Sequence, residues 1–380
     1  MTILHVINTL HKGGAEAHLL LLTKGLQSHG VTCEVAFLRS TDAGGSVNLR
    51  GTFEDAGIRT HDLRCDNSFD PRAAVRLNRL LGTRKWDVLH SHLPRADAAA
   101  AACRLFKPRQ PWMSTVHHPY DDATAYSGAR VIPVLAPMWR MADGIIAVSE
   151  PVREWCIRSL RVDPGTVRTI VHGIDLDSRN RAAAIPPSVT RSSYCIGSIG
   201  RYEQRKGHET LIRAMVPILK EFPDAQLRIA GHDPWGYGDV LRRMIAELHL
   251  EEHVHLAGFT SDKDAFLSSI DVFAFASLSE GFGIVLLEAM NAGKPSVVSD
   301  IAPLTDIICP GASGLAARRD DPAGFANAIM TLFRNPAYMQ QMGAAARQRV
   351  VSEFWQSRMV ERTLQYYRDV VEKKTAAAAS

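Results

Sequence analysis

Long apolar runs are missing from this chain of 380 residues. None approaches the roughly 20 consecutive apolar residues that a membrane-spanning helix needs, which excludes a helical span. A leader is missing as well: Met1-Thr2-Ile3-Leu4-His5-Val6-Ile7-Asn8 has neither a basic start nor an apolar h-region, so no export is expected and it reads as a short buried strand. The expected location is cytoplasmic, with peripheral attachment to the inner face of a membrane as a further expectation. Cysteine is sparse. Cys33, Cys65, Cys103, Cys156, Cys195 and Cys309 form no CxxC pair, which argues against a zinc site and a disulfide framework. His117-His118 and His90-x-His92 have no cysteine partners at zinc-site spacing, so neither a metal nor any other cofactor is expected. A Lys/Arg-rich tract is absent and the formal net charge is only +4, so nucleic acid is not an expected partner. The dinucleotide fingerprint GxGxxG is also absent.

What is present is an ordinary globular balance, 46% apolar and 22% charged, on a chain long enough for two domains of about 100–200 residues each. Strand-like segments at 3–8, 31–38, 87–91, 112–116 and 144–148 alternate with helical spacing at 14–29 and 95–106. A second series of strands begins at Tyr194-Cys195-Ile196-Gly197-Ser198-Ile199 and continues at 226–230, 253–257, 272–276 and 296–299. Continuous apolar strands between amphipathic helices argue for parallel sheets covered on both faces. The expected division is a first domain over 1–176, a linker over 177–193 rich in Ser and Pro, a second domain over 194–353, and a terminal helix over 354–375. Residues 41–46, Thr-Asp-Ala-Gly-Gly-Ser, read as a surface loop.

The densest chemistry lies in Glu280-Gly281-Phe282-Gly283-Ile284-Val285-Leu286-Leu287-Glu288, where two carboxylates stand eight residues apart around a glycine-bracketed turn that opens an apolar helix. A strand-like run precedes it, so Glu280 belongs in the strand-to-helix loop and Glu288 about one turn inside the helix. In open α/β sheets that loop lies at the carboxyl end of a strand, where ligands bind. The helix start there offers backbone N–H groups at Gly281, Phe282 and Gly283. Donors beside carboxylates suit a polyhydroxylated ligand. Further upstream, Gly200-Arg201 and Arg205-Lys206-Gly207 follow the first strand of the second series. A forked guanidinium and a compact ammonium there could meet two phosphates. Gly13-Gly14 likewise sits between a strand and a helix, where backbone approaches a ligand closely.

These motifs, in this order, resemble the retaining glycosyltransferases of family 4, whose signature is an acid pair of the form E-x7-E. Similar runs are Gly13-Gly14-Ala15-Glu16, Asp87-Val88-Leu89-His90-Ser91-His92, Ser114-Thr115-Val116-His117, Ala147-Val148-Ser149-Glu150 and Val171-His172-Gly173-Ile174-Asp175. The resemblance implies the GT-B fold, an α/β architecture of two Rossmann-like doubly wound parallel-sheet domains facing across a cleft, with the terminal helix crossing back to the first domain. It implies a nucleotide-sugar donor, a UDP-sugar favoured and a GDP-sugar the other candidate, and a glycan or lipid-linked acceptor. In that reading Arg201 and Lys206 neutralise the leaving diphosphate, Glu280 holds the transferred sugar, Glu288 holds the ribose, and His117 supports developing charge from the first domain. Gly14, Phe259, Gly281, Phe282, Gly283 and Ile284 complete the donor-binding set. The first domain offers no obvious covalent nucleophile and no Asp-x-Asp pair stands at a strand end, so front-side displacement without a metal is expected. The alternatives are a nucleotide-sugar 2-epimerase and a catalytically silent sugar-nucleotide-binding protein. Departures from the family pattern are Ala302-Pro303-Leu304-Thr305-Asp306 in place of a Gly-Gly-x-Pro-Glu turn, and His172 in place of an asparagine.

Charge is unevenly spread. Between Pro71 and Tyr120, Arg72, Arg76, Arg79, Arg84, Lys85, Arg95, Arg104, Lys107 and Arg109 face only Asp87 and Asp97. Val75, Leu77, Leu80 and Leu81 interleave with the arginines as in an amphipathic helix, a pattern that fits either an anionic membrane surface or a solvated helix packed on the first sheet.

Overall fold

The structure, a computed structural model, describes residues 1–11, 13–39, 48–65, 70–120, 132–176 and 193–379, and the expected surface loop and nearly all of the expected linker lie outside them. Two compact units result: Met1–Gly173 with Gln356–Ser380, and Ile174–Trp355. None of the six cysteines, all of them among the described residues, is joined in a disulfide. No described helix is long and apolar enough to cross a membrane.

In the first unit the strands are β1 (Thr2–Ile7), β2 (Thr32–Phe37), β3 (Arg59–Asp62), β4 (Val88–His92), β5 (Trp112–Val116), β6 (Gly144–Ala147) and β7 (Val167–Thr169). They form one sheet in the order β3-β2-β1-β4-β5-β6-β7, with parallel pairing throughout. The helices are α1 (Gly14–Ser28), α2 (Arg50–Asp55), α3 (Arg72–Leu81), α4 (Pro94–Phe106), α5 (Ile132–Trp139) and α6 (Glu150–Ser159). In the second unit β8 (Cys195–Ile199), β9 (Gln226–Ala230), β10 (Val254–Gly258), β11 (Val272–Phe275), β12 (Ser296–Ser299) and β13 (Leu315–Ala317) run parallel in the order β10-β9-β8-β11-β12-β13. Its helices are α7 (His208–Glu221), α8 (Gly238–Glu247), α9 (Lys263–Ser268), α10 (Ile284–Asn291), α11 (Leu304–Ile308), α12 (Pro322–Arg334) and α13 (Pro336–Glu353).

The last helix, α14 (Gln356–Ala379), belongs to the first unit and packs on α1. Its Met359, Val360, Leu364, Tyr367 and Val370 share a core with Ile3, Leu22, Leu26, Val88 and Met113. Each such side chain contributes about 1.5–3 kcal/mol by leaving water, so the final segment completes the first unit rather than trailing from it.

Both sheets follow the doubly wound strand order, which reverses direction between β1 and β4 in one unit and between β8 and β11 in the other. Such a switch point leaves a crevice at the carboxyl ends of the two strands, where ligands of open α/β sheets bind.

Candidate active site

At the switch point of the second unit the loop after β8 meets the loop after β11. The meeting requires glycine at two places. Gly207 has φ +63, and a Cβ there would lie 2.0 Å from the carbonyl oxygen of Ala276. Gly283 has φ +109 and caps α10, where a Cβ would press on Leu304. Close backbone contact at the first and a left-handed turn at the second bring residues 203–206 against 277–280.

The result is a buried ionic cluster. Lys206 Nζ stands 2.5 Å from Glu280 Oε1, which also accepts from Ser277 Oγ at 2.8 Å. Arg205 lies 3.8 Å from the other Glu280 oxygen, pairs with Glu203 at 2.7 Å, and donates to the carbonyl oxygen of Ser279. Burial alone would raise the Glu280 carboxyl, but Lys206 and Arg205 overcome it and hold the group down at about 2. Burial lowers the Lys206 ammonium, with Glu280 pulling the other way. Lys206 and Arg205 are balanced in charge by Glu280 and Glu203, so the positive surplus that would meet an anionic ligand comes from Arg201 beside Glu203. The other residues named from the sequence take different places. Arg201 is half exposed, 3.3 Å from Glu203 and over the exposed Trp235 ring at 5.3 Å. Phe259 follows β10 and is 45% exposed. Ile284 opens α10. Phe282 is buried with its ring 6.2 Å from Phe354, so its side chain serves the interior of the unit. Glu288 is buried on α10, and both its oxygens pair with Lys263 Nζ at 2.8 and 2.7 Å.

Lys263, Glu203 and Ser277 were not anticipated from the sequence. The single signal for Lys263 is its position at the first turn of the helix after β10, which says nothing of its partner.

The first unit carries a different cluster. Gly14 is exposed at the amino end of α1, and Gly13 forms the cap with extended backbone. His117 lies just beyond β5 and is half-buried. Around it stand His5, His18, His90, His92 and His172, all buried. His172, where relatives resembled from the sequence carry asparagine, stacks on His117 at 5.5 Å and reaches His18 at 2.7 Å. Neighbouring His118 instead contacts the carbonyl oxygen of Pro119. Burial holds His18 down at about 3, and burial with the neighbouring imidazoles holds His5 down at about 3 and His90, His92, His117 and His172 well below their ordinary value. Nitrogens of His5, His90 and His92 lie within 4.8 Å of one another, close enough for one metal ion. Both His90 nitrogens are engaged, however, by Tyr367 Oη at 2.6 Å and Thr115 Oγ1 at 2.8 Å, so binding an ion would break at least one of these bonds. The sequence showed His90-x-His92; it did not show that His5 stands beside His90 across β1 and β4.

Two doubly wound units, one with paired cations and acids at its switch point, offer a site suited to a ligand that carries both phosphates and hydroxyls. Residues 12–178 match the family described as Glycosyltransferase Family 4, and residues 187–349 match Glycosyl transferases group 1. The chain is 30% identical over 353 residues to the phosphatidyl-myo-inositol mannosyltransferase of Mycobacterium leprae, covering 90% of each protein. It is 25% identical to a D-inositol 3-phosphate glycosyltransferase of Nocardioides, covering 94% of this chain and 85% of that one. Among solved structures, Anabaena HepE in complex with UDP and glucose superposes with a TM-score of 0.82 at 19% identity, over 96% of this chain and 98% of that one. A glycosyltransferase from Rickettsia africae gives 0.81 at 19%, over 97% and 98%. The chain belongs to glycosyltransferase family 4 and has the two-domain Rossmann-like fold of the GT-B class.

Proposed function

We propose that this enzyme moves a sugar from a nucleoside-diphosphate sugar to a glycan or lipid-linked acceptor with retention of configuration and without a metal cofactor, in envelope polysaccharide or glycolipid assembly. The Lys206–Glu280 pair at the β8/β11 switch point carries the reading. A donor diphosphate attracts Lys206 and Arg201, and its sugar hydroxyls take the place that Lys206 holds on Glu280. Glu288, neutralised by Lys263, keeps lone pairs for the ribose hydroxyls. Gly14, Phe259, Ile284 and the backbone of residues 281–283 complete the donor contacts. With two protein cations at the leaving group, the diphosphate oxygen itself serves as base to the acceptor, and the protein's part is positioning and charge stabilisation. Asp262 and Asp264 form an Asp-x-Asp sequence, but Asp262 caps α9 by accepting from the Ala265 amide. The mannosyltransferase and inositol glycosyltransferase names of the relatives favour a polyol acceptor, the former one held in a lipid. A UDP-sugar is the first donor to try and a GDP-sugar the second.

His117→Ala is expected to lose turnover while keeping nucleotide affinity within about threefold, since every side chain proposed to hold the nucleotide, Arg201, Lys206 and Glu288, lies on the second unit. Isothermal titration with the nucleoside diphosphate checks this, and lost affinity would mean His117 belongs elsewhere.

Attachment to an anionic membrane is part of the proposal, and the structure changes which residues would serve it. Helix α3 buries Ala73, Leu77 and Leu81 and exposes Val75, while Leu105 and Phe106 at the end of the adjoining α4 are more than 70% exposed. Arg76 is spent on the carbonyl oxygens of Leu63 and Arg64, Arg72 on Asp70, Arg84 on Glu34 and Arg104 on Asp143. Arg79 and Arg109 are exposed with no side-chain partner among the described residues. Binding to phosphatidylglycerol-containing vesicles but not to phosphatidylcholine alone is expected. Arg79→Glu with Arg109→Glu should weaken it by about thirtyfold or more, at about 1 kcal/mol for each lost charge. Equal failure on both vesicle types in a co-sedimentation assay would point to a soluble acceptor.

A further inference from the structure

A parallel strand buried on both faces ordinarily carries apolar side chains, yet one face of the first sheet carries a row of imidazoles. His5 stands opposite His90 across β1 and β4, His92 stands opposite Thr115 across β4 and β5, and His117 follows two residues after Thr115. Within the row His5 Nδ1 lies 3.2 Å from His92 Nε2, and His92 Nδ1 lies 3.3 Å from His117 Nε2. We propose that His5 and His92 are positioning residues that fix His117 as its Nδ1–H tautomer, so that it faces the substrate as a hydrogen-bond donor. The inference rests on the reading that His117 serves the transfer.

The direction follows from counting protons. A neutral imidazole carries one N–H and one lone pair, so each of the two hydrogen bonds fixes the next ring, and only two arrangements satisfy both. If His117 donates to His92 and His92 donates to His5, the proton of His5 sits on Nε2. That nitrogen is fully buried and has no hydrogen-bond partner among the described residues. If the bonds run the other way, His5 Nε2 carries only a lone pair. A buried N–H without an acceptor is the rarer and costlier defect. The second arrangement therefore holds: His5 Nδ1–H donates to His92 Nε2, His92 Nδ1–H donates to His117 Nε2, and the proton of His117 is left on Nδ1. Burial keeps the three rings neutral, as the count requires. His117 ends the row and is the one member not fully buried. Its Nδ1, with no hydrogen-bond partner among the described residues, can donate to a sugar hydroxyl or to an oxygen gaining charge, and cannot act there as a base. Reversing it would require all three rings to change tautomer together.

Long-range proton–nitrogen spectra of the nitrogen-15-labelled protein read the tautomer of each histidine directly, and assignment comes from single His→Gln variants. Nδ1–H is expected for His5, His92 and His117, although imidazole in water prefers the other form. Nε2–H at His117 in the wild-type protein would overturn the proposal, as would a co-purified metal ion coordinated by His5, His90 and His92, since it would take the lone pairs this row uses. For His92→Phe a mixed His117 tautomer is expected, with kcat lowered at least about tenfold and the donor KM within about threefold. His92→Gln, whose amide can still donate to His117, should restore both. Unaltered tautomer and kcat in a folded His92→Phe protein would sink the idea. The spectra need no turnover: if the tautomers stand as described while His117→Ala keeps full activity, it is the role of His117 in transfer that fails, not the row.

Discussion

Glu280→Ala and Lys206→Ala are each expected to lower glycosyl transfer at least about a hundredfold, the scale of losing one preorganised contact to developing charge. Glu280 stands within reach of two cations and one hydroxyl, and the side chain of Lys206 against it is only 13% exposed. Removing either leaves an uncompensated charge, and breaking a buried pair in this way costs about 3–5 kcal/mol of stability. Activity must therefore be read on folded protein. Glu280→Gln and Lys206→Met keep the shapes with less disturbance and should show the same loss, with melting temperatures nearer wild type. Near wild-type turnover in any folded member of the four would mean that the switch point is not the reaction site.

Acid is expected to unfold the first unit well before the second. Six of its histidines are neutral when folded, with His5 and His18 held at about 3 against an ordinary 6.5. A depressed folded value means that the unfolded chain binds more protons at intermediate pH, so the stability these groups confer is complete above about 6.5 and is lost as pH falls toward 3. At pH 5 each imidazole that stays neutral costs about 2 kcal/mol. Asp97 opposes them. Buried under hydrogen bonds from Ser91, Ser114 and Trp139, its carboxyl is pushed up to about 7, so it destabilises at neutral pH and returns roughly 3 kcal/mol by pH 5. Several histidines outweigh one aspartate. The second unit has one histidine of this kind, His208, held at about 4. Trp86, Trp112, Trp139 and Trp155 are buried in the first unit while Trp235 and Trp355 are largely exposed, so tryptophan fluorescence reports the first unit. Its midpoint should fall by at least about 10 °C between pH 7.5 and pH 5. An unchanged midpoint would show that the imidazoles are not buried neutral.

The sequence announced what depends on strong local pattern and left silent what depends on pairing. The expected strands fall on β1, β2, β4, β5, β6 and β8 to β12 within a residue or two, because most strands covered on both faces are apolar runs, although β4 is Val-Leu-His-Ser-His. The edge strands β3, β7 and β13 were missed: Arg59-Thr60-His61-Asp62 has no apolar residue, and the other two are three residues long. At these three edges the demand for burial is relaxed, and with it the signal, whereas β10, also at an edge, keeps Val254, Leu256 and Ala257 and was located. In the second unit Glu280, Lys206 and Glu288 were legible because motif spacing follows the chain. Lys263 on Glu288 and Glu203 on Arg205 were not, since neither pairing is implied by spacing. The histidine row is the clearest case. His5 and His92 are 87 residues apart and meet only because β1 and β4 are neighbours at the reversal of strand order.

Everything proposed for this chain depends on sugar transfer from a nucleoside-diphosphate donor through the Lys206–Glu280 site with no metal. Nucleoside diphosphate release from a panel of UDP- and GDP-sugars, measured in EDTA with and without lipid-linked and soluble polyol acceptors, tests it most directly. Acceptor-dependent release and a glycosylated product from one donor in EDTA, both abolished in Glu280→Gln, are expected. Interconversion of the donor sugar without transfer, or transfer that stops in EDTA and returns with magnesium or manganese, would contradict it.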